Sequence, residues 1–136
     1  MIPRGLRNNN PLNIRHSADI FMGELRGNDK SFKIFASMSY GYRAAFITLA
    51  TYHSRGWDTI ETIVSHWAPP NENNTERYIA NVEKWSGMPR DRKLTLADGA
   101  DYIRIVAAMS YVENGRNADI PVVEEGFNLQ HKIKMQ

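Results

Sequence analysis

No cysteine occurs in the 136 residues, which excludes disulfides and thiolate metal sites. No apolar run approaches the roughly 20 residues that span a bilayer. The N-terminus has no stretch of the roughly 7–15 apolar residues found in a secretory signal. Synthesis in the cytoplasm without a signal peptide is therefore expected. There is no Gly-rich phosphate loop and no Gly-x-Ser-x-Gly elbow, so phosphate cradling and serine nucleophile chemistry have no support. The four histidines, His16, His53, His66 and His131, never pair at metal-binding spacing. No metal and no other cofactor is expected. Charge of one sign is scarce too. The chain has 17 Lys+Arg against 15 Asp+Glu, too balanced to argue for nucleic acid by electrostatics. A nucleic-acid reading through Arg4, Arg7, Arg15, Arg26, Arg43 and Arg55 is the weakest of those considered.

What is present is an ordinary globular composition, 42% hydrophobic and 24% charged, with enough apolar content to build a core. Length and the lack of any linker or repeat predict a single domain over residues 1–136. The densest polar feature runs from Arg4 to Arg15 as Arg-Gly-Leu-Arg-Asn-Asn-Asn-Pro-Leu-Asn-Ile-Arg. Each Asn side chain carries two donors and an acceptor and can match sugar hydroxyls and N-acetyl amides. Asn also tolerates left-handed backbone and builds local turns. Leu6, Leu12 and Ile14 give the segment apolar anchors. Residues 1–19 therefore read as a polar loop, ordered and capable of recognition, with a frayed polar N-terminus as the plainer alternative.

Two short alternating runs, Asp19–Leu25 and Lys30–Phe35, flank a Gly27-Asn28-Asp29 turn and predict a β-hairpin. From residue 37 the apolar period becomes helical. Ser37 or Ser39 caps a helix running to Ser54, with Tyr42, Ala45, Phe46, Leu49, Tyr52 and His53 on or beside its inner face. A second helix opens at Asp58-Thr59 and ends before Pro69-Pro70. A third starts at Asn74 or Thr75 and stops at Gly87, with Tyr78, Ile79, Val82 and Trp85 as its apolar set. Thr95-x-x-Asp98 opens a fourth, with Leu96, Tyr102, Ile103, Val106, Met109 and Tyr111 as its buried stripe and Gly115 as its stop. The tail holds Pro121 and a short helix near 122–129. The fold class is α+β, mainly α: a small hairpin followed by about four helices.

Acid–base work on carboxylates is the chemistry that remains. Glycoside cleavage needs one protonated carboxyl as general acid and, in most families, a second carboxylate within about 5–9.5 Å. The hairpin carries Glu24 and Asp29 five residues apart, and Glu24 has apolar neighbours that would desolvate it. Both are equally at home as solvated strand and turn residues. A second polar segment, Trp67-Ala68-Pro69-Pro70-Asn71-Glu72-Asn73-Asn74-Thr75-Glu76-Arg77-Tyr78, places Glu72 and Asn73 before a helix N-terminus. Trp67 and Tyr78 offer flat faces of the kind sugar rings pack on; a capped interhelix loop with a buried Trp is the plainer alternative. Arg43 stands out on an apolar helix, either pairing with Asp29 or Glu72 or lying on the surface.

The Arg-Gly-x-Arg-Asn-Asn-Asn-Pro-x-Asn-Ile-Arg segment, Phe32-x-x-Phe35, Tyr40-Gly41-x-Arg43-Ala44 and Trp67-Ala68-Pro69-Pro70-x-Glu72-Asn73-x-Thr75-x-x-Tyr78 together resemble a family of small phage and prophage proteins. These are often described as virion structural proteins and are lysozyme-like. The layout is also distantly similar to the glucosaminidase and lytic-transglycosylase branch of that superfamily. The resemblance covers residues 4–87 and implies a lysozyme-like domain whose groove binds peptidoglycan or another bacterial glycan. It implies Asn8, Asn9, Asn10, Asn13, Tyr40, Arg43, Trp67, Asn73 and Tyr78 as glycan contacts. In those enzymes the general-acid Glu ends a helix upstream of the Asn loop, whereas three residues precede Arg4 here. The acid is then expected from elsewhere: Glu24 first by position and Glu72 next, with Asp29 or Glu72 stabilising charge or placing water. The alternative is a non-catalytic virion or host-interaction protein that keeps the groove. Either way the product is made in the bacterial cytoplasm and ends in the virion or is released, with other virion or host proteins as further partners.

Overall fold

The computed structural model describes residues 1–71, 73–97 and 99–134. It is mainly helical with one two-stranded antiparallel sheet, the α+β class that the hydrophobic pattern predicts. In chain order the elements are α1 (Arg4–Arg7), β1 (Glu24–Leu25), β2 (Ile34–Phe35), α2 (Met38–Ser54), α3 (Ile60–Trp67), α4 (Thr75–Ser86), α5 (Ala100–Asn114) and α6 (Ile120–Lys134). Among the described residues no helix is long and apolar enough to cross a membrane.

Local chemistry accounts for most boundaries. Ser37 accepts from the Tyr40 N–H and starts α2, and Asn74 accepts from the Arg77 N–H and starts α4. Gly87 and Gly115 end α4 and α5 in left-handed backbone, the conformation glycine adopts without a Cβ clash. Helix α3 begins one residue later than the Asp58 signal suggests, because Thr59 and Thr62 form a reciprocal capping box. Helix α5 begins at Ala100 rather than after Thr95. The Thr95 hydroxyl is spent on the Ala97 N–H in the preceding turn, and Asp98 lies outside the described residues. Leu96, expected in the buried stripe, consequently stands 45% exposed.

The tail departs most from expectation. Instead of a short helix near 122–129, α6 runs for 15 residues and lies along α2. Pro121 sits in its first turn, where a missing N–H costs nothing. Gly126 marks the crossing: a Cβ there would stand 2.6 Å from Tyr42 Cβ and 2.9 Å from the Ser39 carbonyl. Helices α2 to α6 enclose one cluster of buried side chains, including Leu49, Ile63, Val82, Ile105, Met109 and Val123.

The N-terminal segment is more structured than a recognition loop. Residues 4–7 form a helical turn, and the chain beyond it runs beside the hairpin. Lys33 N–H donates to the Ile14 carbonyl at 3.0 Å and Phe35 N–H to the Asn8 carbonyl at 2.9 Å. Gly41 of α2 meets this segment so closely that a Cβ would stand 2.1 Å from the Asn9 carbonyl. Asn10 holds it together. Its amide donates to the Ile14 and Lys33 carbonyls and its oxygen accepts from the Ile14 N–H, each at 2.9 Å. The side chain is fully buried. Asn10→Ala is expected to lower unfolding stability by about 2 kcal/mol, since backbone groups are left unpaired in the interior; urea denaturation measures it.

Candidate functional site

Four Asn side chains were expected to face a glycan, and the structure uses them differently. Asn10 is the buried tie just described. Asn8 donates to Asp29 Oδ2 at 2.9 Å, and Asn9, at φ 52°, donates to the Phe35 carbonyl at 3.1 Å. Asn13 alone lines a cleft. It too is left-handed, at φ 53°, and its amide donates to Glu113 Oε1 at 2.8 Å.

The hairpin carboxylates both have structural partners. Asp29 receives Arg4 Nε at 2.7 Å and Arg4 Nη2 at 2.6 Å. It also accepts from Asn8 and from the Ser31 and Phe32 N–H groups. The Arg4 guanidinium first, then the Phe32 N–H, hold this carboxyl far below the usual range. Such a group is a turn staple and a poor proton donor. Glu24 places both oxygens 3.0 Å from Lys33 Nζ, and Lys33 is 1% exposed. Glu24 is thus the counter-ion of a buried lysine. Glu72 lies outside the described residues.

Of the other expected contacts, exposed Asn73 donates to the Pro69 carbonyl at 3.3 Å. The Tyr40 ring packs over Gly23, within 2.4 Å of where a Cβ would stand, and so props the hairpin. Arg43 pairs with neither Asp29 nor any other described carboxylate.

Glu113, which the sequence reading did not single out, is where several expected residues converge. Asn13 holds one of its oxygens, and the Tyr78 hydroxyl donates to the other at 2.8 Å. Burial raises its pKa above the ordinary carboxylate value, opposed by the bonds from Asn13 and Tyr78 and by the nearby Arg15 charge. It sits one residue before the end of α5, where the helix dipole also disfavours an added negative charge. Tyr78 is pushed well above the ordinary tyrosine value by its own burial and then by Glu113, so it remains a donor. Asn114 anchors this helix end to the N-terminal segment by donating to the Pro11 carbonyl at 2.8 Å. Burial favours the protonated carboxyl that a general acid needs, while the two donors pull the other way. One signal in the sequence pointed there: an acidic residue in the last turn of a helix, where stability alone favours a base.

The cleft that Asn13 lines has a volume of about 330 Å³ and includes Arg15, His16, Thr48, Tyr52 and Trp67. A larger one of about 560 Å³ shares Asp19, Phe21, Thr48 and Tyr52 with it and extends to Arg43 and Arg55. The two form one trough between α2 and the residue 13–22 segment. An aromatic cluster walls one flank. Trp57 stacks on His66 at 3.5 Å between ring centres, and Tyr52 meets both Trp57 and Trp67 edge-on. Asn13, Trp67 and Arg43 thus line the trough; Tyr78 and Glu113 do not, and connect to it only through the Asn13 hydrogen bond. Asn8, Asn9, Asn10, Tyr40 and Asn73 do not line it.

No family model matches the chain. It is similar to Protein P5 of Pseudoalteromonas phage PM2, with 41% identity over 119 residues that cover 84% of this chain and 72% of that protein.

Proposed function

From the premise that the chain belongs to the family of Protein P5 of Pseudoalteromonas phage PM2, we propose that it is a virion-associated, lysozyme-like protein that cleaves the glycan of peptidoglycan. The observation that carries this reading is Glu113, a buried carboxyl whose pKa burial raises, held by Tyr78 and by Asn13, which itself lines the aromatic-walled trough. The enzymes that the motifs resemble place their acid at a helix end next to the Asn loop. Here α5 brings a glutamate to that position from the C-terminal side of the chain, so the role does not need a helix before Arg4. Glu113 protonates the glycosidic oxygen as the bond to the sugar carbon breaks, and the developing oxocarbenium-like charge is stabilised by the ionised carboxylate left behind. Asp19, also in the trough, is the second acidic group available to place water. Trp67 and Tyr52 pack on sugar rings.

Incubation of the purified chain with insoluble sacculi tests this, with chromatography of the soluble fraction. Release of glycan-cleaved muropeptides is expected. Co-sedimentation with sacculi and no release would sink the cleavage claim. That result would leave the second reading, a non-catalytic virion or host-interaction component.

A further inference from the structure

Arg43 is unusual among the charged residues. It is 7% exposed, and its Nε is buried without a hydrogen-bond partner. No described carboxylate forms an ion pair with it. A buried cation without a counter-ion costs several kcal/mol. Burial accordingly lowers the Arg43 pKa. Yet the residue lines the larger part of the trough, where a ligand reaches it. Arg55, just past the C-terminus of α2, lines the same cleft about 18 Å further along the helix axis, its guanidinium 5.4 Å from the Trp57 ring centre. Asp19 lies across the trough and makes no ion pair with either arginine. Planar guanidinium groups bind carboxylates in a bidentate fork, and a fork inside a cleft discriminates more sharply than one on the surface.

We propose that the Arg43 end of the trough is a carboxylate subsite that engages the peptide stem of peptidoglycan, selecting peptide-bearing glycan over neutral glycan. Only the identity of the molecule carrying the carboxylate rests on the peptidoglycan reading above; the subsite itself rests on Arg43. The arrangement divides the trough into a sugar-facing part at Trp67 and an anion-facing part at Arg43.

Titration calorimetry of the full chain with two soluble probes tests it: a disaccharide-tetrapeptide muropeptide, and the same molecule with its stem carboxylates amidated. The acid form is expected to bind about tenfold tighter, the value of one charge-assisted bond of roughly 1.4 kcal/mol. Arg43→Met should bring that ratio close to one. Arg55→Ala, at an exposed position further along the trough, should lower the ratio less than Arg43→Met does, as expected of a solvated charge. A ratio near one in the wild type, or a ratio kept by Arg43→Met, would overturn the subsite. Muropeptide release together with a ratio near one removes the subsite and keeps cleavage. A tenfold ratio without release keeps the subsite and removes cleavage.

Discussion

Glu113→Gln is expected to reduce muropeptide release from sacculi by at least about 100-fold while leaving the melting temperature within a few degrees of wild type. The substitution keeps the shape of the side chain and one carbonyl oxygen to accept from Asn13 or Tyr78. What it removes is the transferable proton. General acid catalysis contributes typically 10²–10⁴-fold, so the loss should fall on turnover and spare binding to sacculi. Equal release by the variant and the wild type would exclude Glu113 from the chemistry, whatever the wild type does.

The same residue fixes the pH behaviour. Burial raises the Glu113 pKa in the folded chain above its unfolded value. The folded state therefore binds more protons than the unfolded state between those two values, and stability falls as pH rises through that window. Activity needs the protonated carboxyl and should decline across the same folded-state pKa, on the alkaline side of the ordinary carboxylate value of about 4.3. Glu113→Gln removes the titration. Its stability should lack that downward slope, which differential scanning calorimetry at several pH values can follow without any activity measurement. A wild-type slope unchanged in the variant would show that Glu113 is not the group that titrates.

Which parts of this were legible in the sequence follows the distance over which each feature is decided. Ser37, Asn74, Gly87 and Gly115 act within one helical turn, and their helices begin or end where the sequence places them. The tail helix, read as short near 122–129, runs Ile120–Lys134 because packing along α2 sets its length and no local signal in the sequence does. The candidate site was harder. Asp29 looks like a solvated turn residue until Arg4, 25 positions away, is seen to clamp it. Glu113 takes its donors from residues 100 and 35 positions away, a separation that no local pattern encodes. The Asn-rich segment was correctly read as ordered and polar. Its amides mostly serve the chain's own carbonyls and Asp29, because a segment packed against α2 and β2 must satisfy its buried backbone groups first. Asn13 is the exception, its amide spent on Glu113.

Glu24→Ala tests the other side of that division, and here the expected effect is on stability. Lys33 Nζ is paired with both Glu24 oxygens at 3.0 Å and with the Asp19 carbonyl at 2.8 Å. Removing the carboxylate leaves a buried ammonium with one carbonyl partner, and breaking a buried pair from one side costs roughly 3–5 kcal/mol. For a chain of this size that corresponds to a fall of roughly 10–17 °C in melting temperature. A double variant, Glu24→Leu with Lys33→Met, should recover most of the loss, because the penalty belongs to the orphaned charge and not to the missing bond. At a temperature where Glu24→Ala is still folded, its release of muropeptides should stay within about threefold of wild type, since a structural ion pair contributes nothing selective to the transition state. A variant that keeps its melting temperature and loses release would restore Glu24 as the acid. Expected instead is a clean exchange: Glu113→Gln loses the chemistry and keeps the fold, whereas Glu24→Ala loses fold stability and keeps the chemistry.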